Sequence, residues 1–308
     1  IMTSEDAAEP YVHLLDGVVP WRFTMRADSV PAYQAIYGGR VQMIARDGWR
    51  GMTMYPKAAQ QMLYGEQIGW FRPHDLEQNA MLTFFVKKLA HTRNALLPFF
   101  DGGRMLKMPR FVSDVPQITG DWGYRGRVMD TTPALLSSVW KRGEHRLVLF
   151  VNTVGDRPIE AELEVPAESW GLVGPELKVT EFREGEEPRE RKISSKTPLS
   201  VSVPPYGMVA WLSSGDEALP EDSKYFKSAR DVFKKLRAFE VEEGVTAEKK
   251  RVAHNRQDPD AVPDPIRKPA KPPTCFWREH PCPKPVFLWK TSAPRSPHSW
   301  GLIIGRRA

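Results

Sequence analysis

Cysteine is nearly missing from this chain: there are two in 308 residues, Cys275 and Cys282, both close to its end. Everything before them lacks a disulfide framework and a thiol nucleophile. With His280 between them the pair offers at most three ligands, without the tight spacing of zinc sites, so no metal is expected there. Long apolar runs are also missing. None approaches the ~20 residues of a membrane-spanning helix, and no membrane partner is expected. There is no Gly-rich phosphate loop, no Ser-His-Asp order and no His-x-x-x-His pair, so no cofactor is predicted. No signal peptide is visible. The chain opens Ile1-Met2, however, and is read as continuing from an upstream segment of the same protein, which leaves the compartment open, secreted and periplasmic included.

An excess of acid is missing too, and the formal net charge is +6. The excess is local. Residues 254–308 hold ten Lys/Arg against four Asp/Glu, which leaves 34 of each sign in the rest of the chain. A body neutral overall has no footprint for a phosphate backbone, and nucleic acid is excluded as a partner. The same final stretch carries eleven of the 28 prolines. With no periodicity and little to bury, residues 253–308 are expected to be a disordered Pro-rich tail.

What the chain does have begins at its first residues. Ile1-Met2 runs straight into Thr3, Ser4, Glu5, Asp6 and Glu9. An apolar strand that ends in acids reads as a buried parallel strand opening into a cleft, since such sheets gather their chemistry at the carboxyl ends of the strands. Ala8–Leu15 suits a short helix or turn, and Asp16-Gly17 a turn. Val30–Tyr37 reads as a second buried strand stopped by Gly38-Gly39, and Val41–Ile44 as a short apolar one. Residues 56–65 look helical, with Pro56 in a tolerated first-turn position. Gly65–Phe71 suits a last strand and its exit loop. Asp75 is the expected N-cap of the clearest helix, with Leu76, Ala80, Phe84, Leu89 and Leu96 at helical spacing. Lys87, Lys88, His91 and Arg93 are expected on its outer side, and Pro98 at its end.

Beyond Met105 the pattern changes to short β-type runs: 135–140, 146–152, 158–165, 177–182, 199–203 and 208–212. Residues 159–165 alternate apolar and acidic, the mark of a strand with one wet face. Turn clusters at 142–144, 154–157 and 204–207 separate the runs, which predicts an antiparallel β-sandwich. The expected layout is α/β plus all-β. It comprises the last strands and closing helix of a (β/α)8 barrel over 1–109, a β-sandwich over 110–215, a charged amphipathic helix over 216–252 and the tail. Phe226, Ala229, Val232, Phe233, Leu236 and Phe239 line one face of that helix, which either packs on the sandwich or stands as an appendage.

In order, Ser4-Glu5, Ala8-Glu9-Pro10-Tyr11, Leu14-Leu15-Asp16-Gly17 and Val30-Pro31-Ala32-Tyr33-Gln34-Ala35-Ile36-Tyr37-Gly38 resemble late barrel strands. They are similar to those of a bacterial family of glycoside-hydrolase-like proteins of unassigned activity. Gln61–Trp70 is similar to that family's last barrel segment, Phe85–Pro98 to the closing helix of many (β/α)8 glycosidases, and Leu147–Asn152 with Val203–Trp211 to their C-terminal β-domain. The resemblance covers residues 1–215 and rests on the order of the pieces. It implies a carbohydrate partner and hydrolysis by paired carboxylates, with one carboxylate upstream of residue 1 and this chain inactive alone.

Glycoside hydrolysis needs a proton donor and a nucleophile or base. Glu5, directly after the first strand, is one catalytic candidate and Glu9 the other. The plainer role for both is capping the helix that follows. Asp6, Asp16 and Glu66 are candidate substrate ligands. Trp21, Tyr37 and Trp70 are candidate platforms, because a sugar ring presents C–H groups to an aromatic face; rim packing is the plainer role. Two other functions fit the same residues. One is a non-catalytic carbohydrate-binding protein on a barrel-like scaffold. The other is an interaction module in which the sandwich carries a Pro-rich recruiting tail, surviving deletion of residues 1–110.

Overall fold

The computed structural model describes residues 2–4, 9–19, 31–44, 53–69, 71, 73–122, 129–172, 174–194 and 196–239. All lie in the unit Ile1–Pro259. The tail with Cys275, His280 and Cys282, and the candidates Glu5, Asp6, Trp21 and Trp70, fall outside them.

The amino-terminal part is a parallel sheet whose Val18, Val41 and Met43 pack with Tyr33 and Tyr37 of a helix. Strand β1 (Thr3–Ser4) is followed by a 3-10 helix (Glu9–Leu14) and by β2 (Gly17–Val18). Then come helix α1 (Ala32–Tyr37), strand β3 (Gln42–Met43) and helix α2 (Met54–Leu63). The strand order is β1-β2-β3, with Thr3 opposite Gly17 and Gly17 opposite Gln42, all parallel. A parallel bridge from Ile44 to Gln67 adds a fourth position. Short strands joined through helices are what parallel pairing requires, since each crossover must return the chain to the same edge.

Two expectations change here. Val30–Tyr37 is not a strand; 32–37 is helix α1, with Tyr33 and Gln34 buried. A six-residue apolar run bounded by Gly is legible as either element, because periodicity cannot separate a buried strand from a buried helix at that length. Gly17 belongs to a strand and not to a turn.

Helix α3 (Pro73–Gln78), helix α4 (Ala80–Ala95) and helix α5 (Leu97–Phe100) follow. The N-cap of the long helix is Asn79, whose side chain accepts from Leu82 N at 3.0 Å; Asp75 lies inside α3. Pro98 sits in the first turn of α5 and starts a new helix after α4 has ended at Ala95. Proline is tolerated there because no i−4 partner is lost.

The remainder is mostly antiparallel. Strands β4 (Arg104–Leu106), β5 (Arg110–Phe111), β6 (Gln117–Asp121), β7 (Met129–Pro133), β8 (Leu135–Arg142), β9 (His145–Asn152) and β10 (Ile159–Glu164) precede the short helix α6 (Ala167–Trp170). Strands β11 (Glu176–Arg183), β12 (Arg189–Ser194), β13 (Leu199–Val203), β14 (Met208–Ser214) and β15 (Glu217–Ala218) complete the sheets. A final helix, α7, is described over 224–239. The large sheet runs β12-β11-β14-β9-β8-β4 with β15 on β14; the small one runs β13-β10-β5; β6 and β7 form a separate ribbon.

The large sheet is buried on both faces. Val139, Val148, Phe150, Val179, Val209 and Trp211 share a core with Ile159, Ala161, Leu163, Val201 and Val203 of the small sheet. The alternate residues Trp140, Leu147, Leu149, Met208 and Leu212 pack with α2, α4, α5 and α7. This is why β9 is buried from Arg146 through Asn152, while β10, with one wet face, alternates strictly. Helix α7 packs on this assembly through Phe226, Ala229, Phe233 and Leu236, with Phe182 and Phe226 edge to face at 5.4 Å.

Candidate functional site

In a parallel sheet covered by helices, the edge at which the strands end is where loops can gather functional groups. Here that edge is marked by Ser4, Val19 and Ile44, with Val19 N donating to Ser4 O at 2.9 Å. Helices returning from it begin at it, so the amino end of α2 lies on the same side. Every residue of α2 is buried, including Lys57, Gln60 and Gln61. Gln61 Oε1 accepts from Gly69 N at 3.3 Å and so holds the segment after the Gln67 bridge.

Thr53, the N-cap of α2, does not cap its helix with its side chain. Its hydroxyl instead donates to the carbonyl of Asp121 at 2.6 Å, on the ribbon β6–β7. Beside it, Lys57 Nζ lies 5.8 Å from the centre of the Trp122 ring, a cation–π arrangement. Gly120 faces Thr53 so closely that a Cβ there would stand 2.6 Å from Thr53 Cγ2. The ribbon is therefore seated on the amino end of α2.

The structure divides the predicted residues between the two edges of the sheet. Glu5 follows β1 in sequence, and Glu9 begins the 3-10 helix that leaves this edge. Asp16 and Tyr37 lie toward the opposite, amino-terminal edge, whereas Glu66, one residue before the bridge from Gln67 to Ile44, is level with Met43, Val18 and Ser4. Asp16 precedes β2 and accepts from Met2 N at 2.6 Å, tying the starts of two strands. Tyr37 ends α1, tilted against Tyr33 at 4.8 Å, and packs on Val18, Val41 and Met43. Reading α1 as a strand had placed Tyr37 at a strand's carboxyl end; as a helix the segment runs the other way, and Tyr37 changes edge.

Glu66 is 0% exposed and precedes Gln67. Its Oε1 accepts from Gln34 Nε2 of α1 at 2.7 Å. Arg93 donates from Nε to Glu66 O at 2.7 Å and from Nη2 to Gly65 O at 3.2 Å. Burial lowers the Arg93 pKa, and Asp101 works against it by raising it. Arg93 and Gly65 line a cavity of about 210 Å³ together with Arg40, Gln42 and Asp101, toward the amino-terminal edge. Among the described residues no three His, Cys, Asp or Glu side chains are grouped to hold a metal.

Sequence reasoning missed the ribbon and its seat. The run 117–121 contains one apolar side chain, Ile118, and gives no strand signal. The available clue was Lys57, a charge inside an otherwise apolar or amide-bearing helix.

No known protein family matches the chain, and no curated protein does. Among solved structures it is similar to a GH30 endoxylanase from Clostridium papyrosolvens C71, at 8% identity over 68% of this chain and 51% of that one, with a TM-score of 0.35. It is also similar to an alpha-amylase from Geobacillus thermoleovorans complexed with acarbose, at 11% identity over 68% and 53%, with a TM-score of 0.36. A family 30 xylanase, Xyn30A of Clostridium acetobutylicum, follows at 11% identity over 65% and 48%, with a TM-score of 0.30. These neighbours are glycoside hydrolases, and the chain spans about half the length of each. Likeness at this level carries no activity to the chain.

Proposed function

We propose that this chain is part of a carbohydrate-active, glycoside-hydrolase-like protein in which Glu5 supplies one carboxyl group of a catalytic pair. Glu9 stands beside it in sequence as the second candidate. The reading rests on one observation: β1 ends at Ser4, at the carboxyl edge of a helix-covered parallel sheet, and Glu5 is the next residue. The parallel strands are taken as the late strands of a barrel with its partner carboxylate upstream. The two facing antiparallel sheets are taken as a C-terminal sandwich, with the boundary near residue 110. Asp6, Trp21 and Trp70 remain substrate ligands in this proposal. Glu66, level with Ser4 by the bridge from Gln67 to Ile44, remains one as well, while Asp16 and Tyr37, toward the other edge, hold strands and a helix in place.

The test is hydrolysis of a panel of aryl glycosides and oligosaccharides by this chain and by a form extended upstream, beside Glu5→Gln and Glu9→Gln. The chain alone is expected to bind sugar without turnover. The extended form is expected to turn over, and Glu5→Gln to lower its kcat by at least ~100-fold with the fold intact. Sugar binding without turnover in the extended form would make this a binding protein instead. Neither binding nor turnover would end the carbohydrate reading.

A further inference from the structure

The loop that leads from α5 into β4 carries Gly102 and Gly103. It lies toward the amino-terminal edge of the parallel sheet, where a Cβ on Gly39 would meet Gly102 Cα at 3.6 Å. Across from it stands the hairpin of β8 and β9, which turns through Gly143 and Glu144. Gly143 has a φ of +57°, the left-handed conformation that such a two-residue turn asks of its first central residue. Between loop and hairpin is an open groove of about 410 Å³ lined by Gly102, Gly103, Arg104, Lys141, Arg142 and Gly143. That lining is three cations and three glycines, with no carboxylate. A Cβ on Gly102 or on Gly143 would meet nothing within 4 Å, so the backbone at both is open to a ligand.

The charges of this lining are set against one another. Arg104 stands directly opposite Lys141 on the neighbouring strand, and Lys141 directly opposite Arg146 on the next. Residues so paired share a face with their Cβ atoms ~4.5–5.5 Å apart, and like charges there cost stability. Arg146, the innermost, is buried and provided for: it donates to Trp170 O at 2.8 Å and to Gly215 O at 2.5 Å, with Asp216 at 3.5 Å. Arg104 is exposed and Lys141 half-buried, and among the described residues neither pairs with a carboxylate. Arg142 donates through Nη1 to Pro98 O and Asp101 O, which fixes its guanidinium at the groove. The carboxylate of the loop, Asp101, lines the neighbouring cavity instead and acts on Arg93.

We propose that this groove binds a tetrahedral dianion, a phosphate or sulfate group, with Arg104 and Lys141 as its charged ligands and Arg142 beside them. An anion seated there turns the repulsion across β4 and β8 into attraction. Three cations suit a dianion better than a single carboxylate, and guanidinium groups bind such oxygens through paired N–H donors. The site lies away from the carboxyl edge of the parallel strands and does not depend on the carbohydrate reading.

The experiment is thermal unfolding of the full chain at constant pH and ionic strength, with chloride replaced stepwise by inorganic phosphate, beside Arg104→Gln and Lys141→Gln. Arg142 is left unchanged because it holds the loop. The parent is expected to gain about 2–4 °C where phosphate stands roughly fivefold above its dissociation constant, and each variant to lose most of that gain. In chloride, with the repulsion gone, the variants are expected to melt no lower than the parent. The deciding quantity is the gain on adding phosphate, so a variant of lower starting stability still answers the question. The basic tail is present throughout and does not separate variants from parent. Sulfate is expected to act like phosphate, and acetate to do nothing. A gain from glycerol phosphate equal to that from inorganic phosphate assigns the site to a phosphate group on a small molecule; a gain from inorganic phosphate alone assigns it to the free ion. Gains as large in both variants as in the parent would be the general salting effect of such anions and would overturn the proposal. An equal gain from acetate, or none from phosphate in the parent, would overturn it as well.

Discussion

Glu181 shows how far neighbours can move one side chain from its isolated chemistry. Its side chain is fully buried, and it accepts from Arg183 at 2.7 Å, Arg189 at 2.5 Å, Arg191 at 2.8 Å and Trp211 Nε1 at 2.9 Å. Burial alone pushes the carboxyl up. The hydrogen bonds from Arg183, Arg191, Arg189 and Trp211 outweigh it and bring the pKa down from 4.5 to about 2. Arg183 also donates to Ser202 O, and Arg191 to Ser200 O, so the cluster ties β11 and β12 to the outer edge of β13. That covers an edge otherwise open to pairing with another chain. A carboxyl lowered on folding stabilises the protein above its unfolded pKa, and the contribution fades as pH falls through the folded one. Between pH 4.5 and about 2 the native chain should therefore lose stability faster than Glu181→Gln. Urea unfolding at stepped pH reads the difference. A variant as acid-sensitive as the parent would remove Glu181 from the account.

Helix α4 carries the same lesson at the scale of an element. Its sequence predicted an apolar stripe with Lys88 on the wet side. Lys88 instead is 1% exposed, donating to Glu184 at 2.5 Å and to Tyr206 O at 2.9 Å, while Glu184 accepts from Met208 N. The helix is pinned to the sheet by this pair. Nearby, Tyr55 and Tyr206 stack at 4.5 Å, and burial, then Tyr55, raises the Tyr206 pKa. Breaking a buried ion pair by removing one partner strands the other charge. Lys88→Ala should cost ~3–5 kcal/mol in denaturant unfolding, whereas Lys88→Met with Glu184→Leu should recover most of it. Strand β12 escaped notice for a related reason. Arg189-Glu190-Arg191-Lys192 looks like a solvated turn, and its hydrogen bonds to β11 come from a partner that local pattern does not contain. Six other β-type runs were legible because their apolar side chains fill a core.

Taken whole, residues 54–100 and the large sheet share one apolar cluster that includes Phe85, Phe99, Trp140, Leu149 and Met208. Trp140 Nε1 donates to Leu63 O at 3.0 Å, closing the end of α2. The Trp140 ring lies so near Gly65 that a Cβ there would come within 2.9 Å. Removing residues 1–103 leaves only α7 on that face of the sheet and uncovers the part packed by α2, α4 and α5, including Trp140, Leu149 and Met208. The truncated protein should aggregate, or bind a hydrophobic dye with its near-ultraviolet circular dichroism lost. A cooperative, dye-silent fragment would contradict this and restore the interaction-module reading, which needs the antiparallel region to stand alone.

The order of elements was set by the sequence itself. Apolar runs, turn residues and one long amphipathic helix report the same local energies in any context, and they marked β8–β11, β13, β14, α2, α4 and α7. Glu5 as a candidate also came from the sequence, because it follows β1 directly. The tertiary structure alone decided where the described candidates Asp16, Tyr37 and Glu66 lie along the parallel sheet, that Lys88 and Glu181 are buried, and that strand β6 meets the amino end of α2 at Thr53. Several of those outcomes depend on partners 30 to 100 positions away, such as Gln34 for Glu66, Trp211 for Glu181 and Glu184 for Lys88. Long-range pairing of this kind leaves no period in the chain from which it could be read.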